Sequence, residues 1–412
     1  MTATISSAST VAALRIRYKD GIEKEDFDKA STLYKLVGRA TDFDGASYNF
    51  ALNVDGTQGL GVDVPTAQAS LAQSPNYNFA VTRVRYYSLA RVTGEAMKAA
   101  KGPGAVMNLW EHEVERATYS INRDLAFQFH RNGLGSRGQL LAASSGVGTP
   151  TITLQDDGGI NFFSVGMKVT ASSADGGVLR SAGATATITG LDRAARTLTI
   201  SGNWTASIAA INDGDFLHRS GDGAAGGTAK LLTGVDSWIG TGAIFGLTRT
   251  GTDVIKLGGQ TKDCTGIPLE ELGSELATLL QQQGALPPDT LVLNPDEGNK
   301  LRKALIARSM YVRSDVKSMT AGISFKGFEV DGPMGPISVV EDITRAKKTG
   351  LLTRKADWRV HSLGPCPQIL DFDKNEMLRV ATDDAYEIRI GMYGNVECTR
   401  PVDSIRCTNV GV

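Results

Sequence analysis

The sequence has no surplus of either charge. Lys and Arg number 43 against 44 Asp and Glu, for a formal net charge of -1 over 412 residues. Without a global basic field, contact with nucleic acid has to be local and weak, and attraction to an anionic membrane is excluded. Cysteine is scarce too: Cys264, Cys366, Cys398 and Cys407 form no CxxC pair and no spacing that gathers thiolates around zinc. They read as reduced thiols of a cytoplasmic protein. No stretch approaches the roughly 20 apolar residues of a membrane span, and Met1 to Ala13 is not a positively charged segment leading into a long apolar run. The expectation is a soluble chain that is not secreted and has no membrane partner.

Chemical motifs are equally thin. The histidines His112, His130, His218 and His361 are scattered among different segments and suggest no triad. His112 and Glu113 begin an HE pair, but Arg116 stands where a zinc protease needs histidine. There is no GxxxxGK[ST] loop. Gly221, Gly223 and Gly226 match GxGxxG within a Gly/Ala linker, with no helix signal behind them to complete a dinucleotide site. Asn203-Trp204-Thr205 is a glycosylation sequon only in a secretory compartment. No catalytic, cofactor or metal residue is therefore assigned, and the chain reads as a non-enzyme.

What is present is length for two or three domains and 47 glycines, above the usual ~7% share, which favours turns and short strands. The fold class is α+β. Residues 1–45 are polar and charged, with one short amphipathic patch of Phe27, Ala30, Tyr34 and Val37, and read as an N-terminal arm. Residues 46–95 read as a long β-hairpin: Ser47 to Val54, a Gly-rich crossing near Gly59 to Pro75, then one alternating return strand. Phe79, Val81, Arg83, Arg85, Tyr87, Leu89 and Arg91 are expected on one face of it, with Ala80 to Val92 on the other. From Pro103 to about Arg131 the period becomes helical, with Val106, Trp110, Val114, Ala117, Ile121, Leu125 and Phe129 forming one stripe. Gly133 and Gly135 stop that helix.

Residues 148–222 turn to Thr, Ala, Gly and Val in short alternating runs, the mark of an inserted small β-barrel or sandwich. The remainder is mixed. Pro268 to Gln283 reads as a helix, Thr290 to Leu293 as a strand, and Asn294, Pro295 and Glu297 as a helix start. Further strands are expected around Gly327 to Val330, Ile337 to Glu341, Thr349 to Leu352 and Tyr386 to Tyr393.

Arm, long hairpin, long helix, Gly-rich break, mixed α/β segment and closing strands, in that order, resemble the tailed-bacteriophage major capsid protein of the Hong Kong 97 type. The resemblance covers nearly the whole chain outside the insertion. It is carried locally by Gly133, Gly135, Gly138, Leu140 and Leu141, by Thr290-Leu-Val-Leu-Asn-Pro295, and by Tyr386 to Asn395. It implies an extended loop at 46–95, a spine helix and the start of the peripheral domain at 96–147, a mainly axial domain at 223–350, and a return to the peripheral domain at 351–412. It also implies a shell of hexamers and pentamers enclosing packaged double-stranded DNA, in a virion assembled in the cytoplasm of a bacterial host. A portal and a separate scaffolding protein would be its partners, with a decoration protein as a further candidate. Phe27, Tyr34, Arg83, Arg85, Tyr87 and Arg91 are the candidate contacts between subunits, with Glu23, Glu25, Asp26 and Asp28 as possible carboxylate partners; Val106, Trp110, Val114, Ile121 and Leu125 would be the core of the spine helix.

Two departures from the family shape the expectation. Some members crosslink through a Lys on the extended loop, whereas no Lys occurs here between Lys35 and Lys98, so a non-covalent shell is expected. Only about 50 residues precede the hairpin, so no cleaved scaffolding segment is expected. The competing readings are an encapsulin-like nanocompartment shell and an α/β enzyme carrying an inserted β-domain.

Overall fold

The structure, a computed structural model, describes residues 33–99, 109–249, 254–309, 328–370 and 378–412. Phe27, Val106 and the acids at 23–28 lie outside the described residues. Among those described, the strands form three six-stranded sheets and a two-stranded hairpin.

The first sheet is organised by the long strand Ala385–Cys398. Val84–Thr93 runs antiparallel along it from Ala385 opposite Thr93 to Gly394 opposite Val84. Trp358–Ser362 pairs with its C-terminal half, and Gly38–Ala40 adds to Trp358–Ser362 in parallel. The spine helix, Leu109–His130, lies against this sheet. At 1.5 Å per residue its 22 residues span roughly 33 Å. Ala117, Ile121, Leu125 and Phe129 are buried in the core it shares with the sheet, Val114 packs at the edge, and Trp238 and Trp358 fill the centre.

The segment read as an arm is corrected for its described part. Residues 33–45 contain a helical turn, Leu33–Leu36, and the strand Gly38–Ala40, and Leu33, Tyr34, Val37 and Phe43 are all buried in the chain's own core. The return strand is corrected as well, because it is two strands in two different layers. Asn76–Thr82 pairs with Ser47–Asn53, while Val84–Thr93 belongs to the first sheet. At the break, Arg83, the alternation changes phase. Phe79 and Val81 point inward before it, Ala90 and Val92 after it. With a side-chain period of two, one skipped residue sends every later side chain to the opposite face.

The second sheet is the insertion, and it closes. Its order is Ser136–Gln139, Phe216–Arg219, Lys168–Ser172, Ala186–Asp192, Thr197–Ile200, Thr151–Thr153, every pair antiparallel. A bridge between Leu140 and Leu154, flanked by Leu141 N to Thr153 O (3.0 Å) and Gln155 N to Gln139 O (2.9 Å), joins the last strand back to the first. The domain is therefore a barrel, which removes its edges. It has its own core, including Leu140, Ile152, Phe163, Ile188 and Leu217, with Trp204 fully buried and its indole nitrogen donating to Pro150 O at 3.0 Å.

The first strand of that barrel begins at Ser136, not at 148, and its polar text, Ser-Arg-Gly-Gln, hides it from a hydrophobic reading. Gly135 sits where the chain enters, at φ +91°, and a Cβ there would stand 2.5 Å from Asp222 O in the turn where the chain leaves. This boundary is testable. A fragment of residues 134–222 is expected to unfold cooperatively by circular dichroism with Trp204 fluorescence blue-shifted, whereas 148–222 leaves two strands unpaired and is expected to remain unfolded.

The third sheet runs Gln260–Asp263, Ile405–Thr408, Gly350–Thr353, Thr290–Leu293, Gly335–Glu341, Phe328–Gly332. The helix Leu269–Gln282 buries Leu272, Leu276 and Leu280 against it. In the helix Pro295–Ser309, Asn294 Oδ1 accepts from Asp296 N at 3.2 Å. Because Gly350–Thr353 and Ile405–Thr408 are members of this sheet, the segment 351–412 does not all return to the first one. No helix among the described residues is long and apolar enough to cross a membrane.

Candidate assembly surfaces

The hairpin is seated at its base and open at its tip. At the base, Phe50 stacks on Phe79 at 5.2 Å, Phe79 meets Trp238 at 5.3 Å, and Tyr48 stacks on His361 at 4.2 Å. Past the Asn53–Asn76 side-chain hydrogen bond (2.7 Å), residues 54–75 form a tip around the short helix Val64–Ala69, whose first turn is capped by Asp63 accepting from Thr66 N at 2.8 Å. Leu60, Val62, Val64 and Leu71 on this tip are 67% to 100% exposed. Four large apolar side chains on one small projection form a patch that water disfavours. Sequence reasoning treated this stretch as a Gly-rich crossing and missed all four. Their signal was there, as isolated aliphatics in a polar run that has no neighbouring strand or helix to bury them.

A second exposed surface is the outer face of Val84–Thr93. Arg85, Tyr87, Leu89 and Arg91 alternate outward, with Tyr87 45% and Leu89 57% exposed. The Tyr87 ring meets Tyr393 edge-on at 5.9 Å, and Arg91 already has a carboxylate within the chain, Asp383 at 2.8 Å. Arg83, at the phase change, is half-buried with its guanidinium 5.8 Å from the Phe43 ring centroid. Tyr34 is 3% exposed, packed on Phe129 at 6.0 Å, so its ring is not available to a neighbour. Of the spine residues, Ile121 and Leu125 are in the core and Val114 at its edge; Trp110 lies in the helix.

Behind these surfaces are buried ionic joints. Arg137, on the first barrel strand, donates through both terminal nitrogens to Asp124 of the spine helix (3.1 Å each) and to Asp222 at the barrel exit (3.1 Å). Arg219 adds a contact to Asp124 and donates to Tyr86 Oη at 2.9 Å, while Tyr86 donates to Asp124 at 2.7 Å. Burial alone would raise the Asp124 pKa, but the Arg137 and Arg219 charges outweigh it and hold the carboxyl well below the usual range. For Asp222 the balance goes the other way, and burial keeps its pKa raised. Barrel, spine helix and first sheet meet at this one network.

A second joint holds the hairpin base. His361 donates or accepts between Asp42 (2.6 Å) and Glu397, fully buried beneath Tyr48. Burial disfavours its charge, yet the bonds to Glu397 and Asp42 prevail and raise its pKa. A third ties His130 to Asp342 at 3.3 Å, with Leu33 N donating to the same carboxylate at 3.0 Å.

No family model and no curated protein matches the sequence. By structure, the chain is similar to a subunit in the capsid asymmetric unit of cyanophage A-1(L), at TM-score 0.59 and 10% identity, over 99% of this chain and 100% of that one. It is also similar to a subunit in the capsid of the native GTA particle, at TM-score 0.52 and 7% identity, over the full length of both chains. The fold is that of tailed-phage capsid proteins.

Proposed function

We propose that this chain is a major capsid protein of a tailed phage, assembling through hexamers and pentamers into an icosahedral shell around packaged double-stranded DNA without catalysing a reaction. The observation that carries this reading is the hairpin tip. It projects four apolar side chains away from a body that has the capsid fold, and a second copy of the same chain is the occupant that such repetition supplies. The outward row of Arg85, Tyr87, Leu89 and Arg91 is a second candidate contact, its apolar stems covering a neighbour while the guanidinium groups reach carboxylates. The net charge of -1 suits a container, since a basic lining would bind phosphates tightly and resist their movement. A portal, a scaffolding protein and a decoration protein complete the proposed partners, with the virion as the site of residence and the host cytoplasm as the site of assembly.

Expression of the full chain, followed by size-exclusion chromatography and negative-stain microscopy, is expected to give uniform polyhedral particles. A compact monomer at high concentration under assembly conditions would overturn the proposal. Particles that enclose protein cargo and no nucleic acid would overturn the DNA-container half of it. The hairpin Ser47–Thr82 has no Lys, so denaturing gels of mature particles are expected to show a single monomer band and no ladder of covalent multimers.

A further inference from the structure

The joint at the foot of the hairpin needs more protons than its groups carry by default. His361 is fully buried with a carboxylate against each ring nitrogen: Asp42 Oδ1 lies 2.6 Å from Nδ1, and Glu397 Oε2 is hydrogen-bonded to Nε2. A carboxylate only accepts, and a neutral imidazole has a single N–H, so it serves one of the two and turns a bare lone pair toward the other. Two closed contacts take two protons, which makes the ring an imidazolium between two anions. Burial opposes the extra charge, but the two carboxylates outweigh it and hold the proton above histidine's ordinary range.

The other groups around the ring leave this arrangement in place. Tyr48, on the first hairpin strand, stacks on it at 4.2 Å, and burial, then the Glu397 and Asp42 charges, raise its phenol and keep it neutral. Arg359 stands opposite Glu397 in the strand register with no ion pair to it among the described residues, while Arg39 and Arg83 are turned to the rings of Tyr34 and Phe43. Asn395, opposite His361, has its amide taken by Thr233 N at 2.9 Å and Thr82 O at 2.8 Å. The two carboxylates differ in access to water, the Glu397 side chain being 3% exposed and that of Asp42 52%. Taking the proton from Nε2 strands a buried anion without its imidazole donor, whereas taking it from Nδ1 leaves an anion that water reaches. Nδ1 is therefore the nitrogen that gives up its proton.

We propose that Asp42, His361 and Glu397 form a proton-operated clasp at the foot of the hairpin: with a proton on each ring nitrogen both contacts are closed, and when Nδ1 gives its proton to solvent the Asp42 contact opens and residues 41–46 loosen from the first sheet. That stretch joins Gly38–Ala40 to the hairpin strand Ser47–Asn53. The hydrogen bonds beside the clasp are longer, Phe43 N to Ser362 O at 3.4 Å and Ser362 Oγ to Ala40 O at 3.3 Å, and the buried Phe43 ring is the apolar anchor. Opening is therefore local, freeing the connector while the aromatic base stays seated. The sign follows from the raised pKa. The folded chain holds a proton that the unfolded chain, with histidine at about 6.5, has released, so the clasp's contribution to stability is complete below that value and is lost as pH rises through the raised one.

The test uses the unassembled full chain. Amide exchange over residues 41–50, corrected for the intrinsic pH dependence of exchange, is compared at pH 6 and pH 9.5. Protection is expected to fall about tenfold at the higher pH, the loss of one hydrogen bond to a charged group, with the strand Thr290–Leu293 of the third sheet unchanged. Asp42→Asn is expected to keep its protection at both values, because an amide offers its oxygen to an N–H and its NH₂ to a bare nitrogen. Equal protection of the wild type at both values, the same fall in Asp42→Asn, or a fall shared equally by Thr290–Leu293 overturns the clasp. Should Asp42→Asn fail to fold, nitrogen NMR of the histidine-labelled wild type decides, with His361 identified by magnetisation transfer to the Tyr48 ring. Two protonated ring nitrogens at pH 7, one of them lost with a midpoint above the ordinary value, are expected, and a single protonated nitrogen at pH 7 overturns the proposal.

Discussion

The double variant Leu60→Ser, Val62→Ser is expected to fold as the wild type does and to yield no particles at concentrations where the wild type assembles fully. Both side chains are open to water in the single chain, at 80% and 100%, so replacing them removes no packing inside it. Surface changes of this kind shift stability by no more than about 0.5 kcal/mol. If a neighbouring copy covers the tip, the same two side chains contribute roughly 1.5–3 kcal/mol each on burial. A loss of about 3 kcal/mol per contact raises the concentration needed for association by more than a hundredfold, and every subunit of a closed shell would carry the defect. Gln58→Ser, an exposed polar change on the same tip, is the control and is expected to assemble normally. Light scattering against concentration, with circular dichroism to confirm the fold, reads both. Particles from the double variant at the wild-type threshold would show that the tip is not a contact.

How much of this was legible depended on whether a residue's burial was decided locally. The spine stripe through Ala117, Ile121, Leu125 and Phe129 was readable because a helix buries one face whatever it packs against. The strand Thr290–Leu293 was readable because all four of its residues are buried, so neither face breaks the apolar run with polar side chains. Pairing across hundreds of residues was not. Gly38–Ala40 joins Trp358–Ser362, and its three residues carry no sign of that. Ser136–Gln139 was missed because its buried groups are Gly138 toward the barrel core and Arg137 toward the spine helix, a glycine and a charge that hydrophobic patterning scores as surface. The phase change at Arg83 was invisible because both faces of the alternation carry large side chains. His361 was unremarkable as text, since only the fold brings it to Asp42 and Glu397.

Arg137 carries the other large expectation. Arg137→Ala is expected to destabilise the chain by about 3–5 kcal/mol, the range for breaking a buried pair from one side. The guanidinium touches Asp124, Asp222 and the Phe162 carbonyl at once, and it lies over the Phe127 ring at 5.5 Å. Removing it leaves Asp124 with Arg219 and Tyr86 alone, and Asp222 still buried. Arg137→Met keeps most of the volume but none of the charge, so it separates lost packing from an uncompensated carboxylate; most of the loss is expected to remain. The pH dependence gives a further check with a definite sign. In the wild type, Asp124 has a depressed pKa, so its contribution is present above the unfolded value of about 4 and disappears as pH falls below it. In Arg137→Ala both acids are pushed toward the neutral form, so the variant's deficit should be widest near neutral pH and should narrow as pH falls toward 4. Denaturant titrations of both proteins at pH 4 and pH 7 measure this directly. A deficit that is the same at both values would mean that Arg137 acts through packing, and that the barrel is not joined to the spine helix by charge.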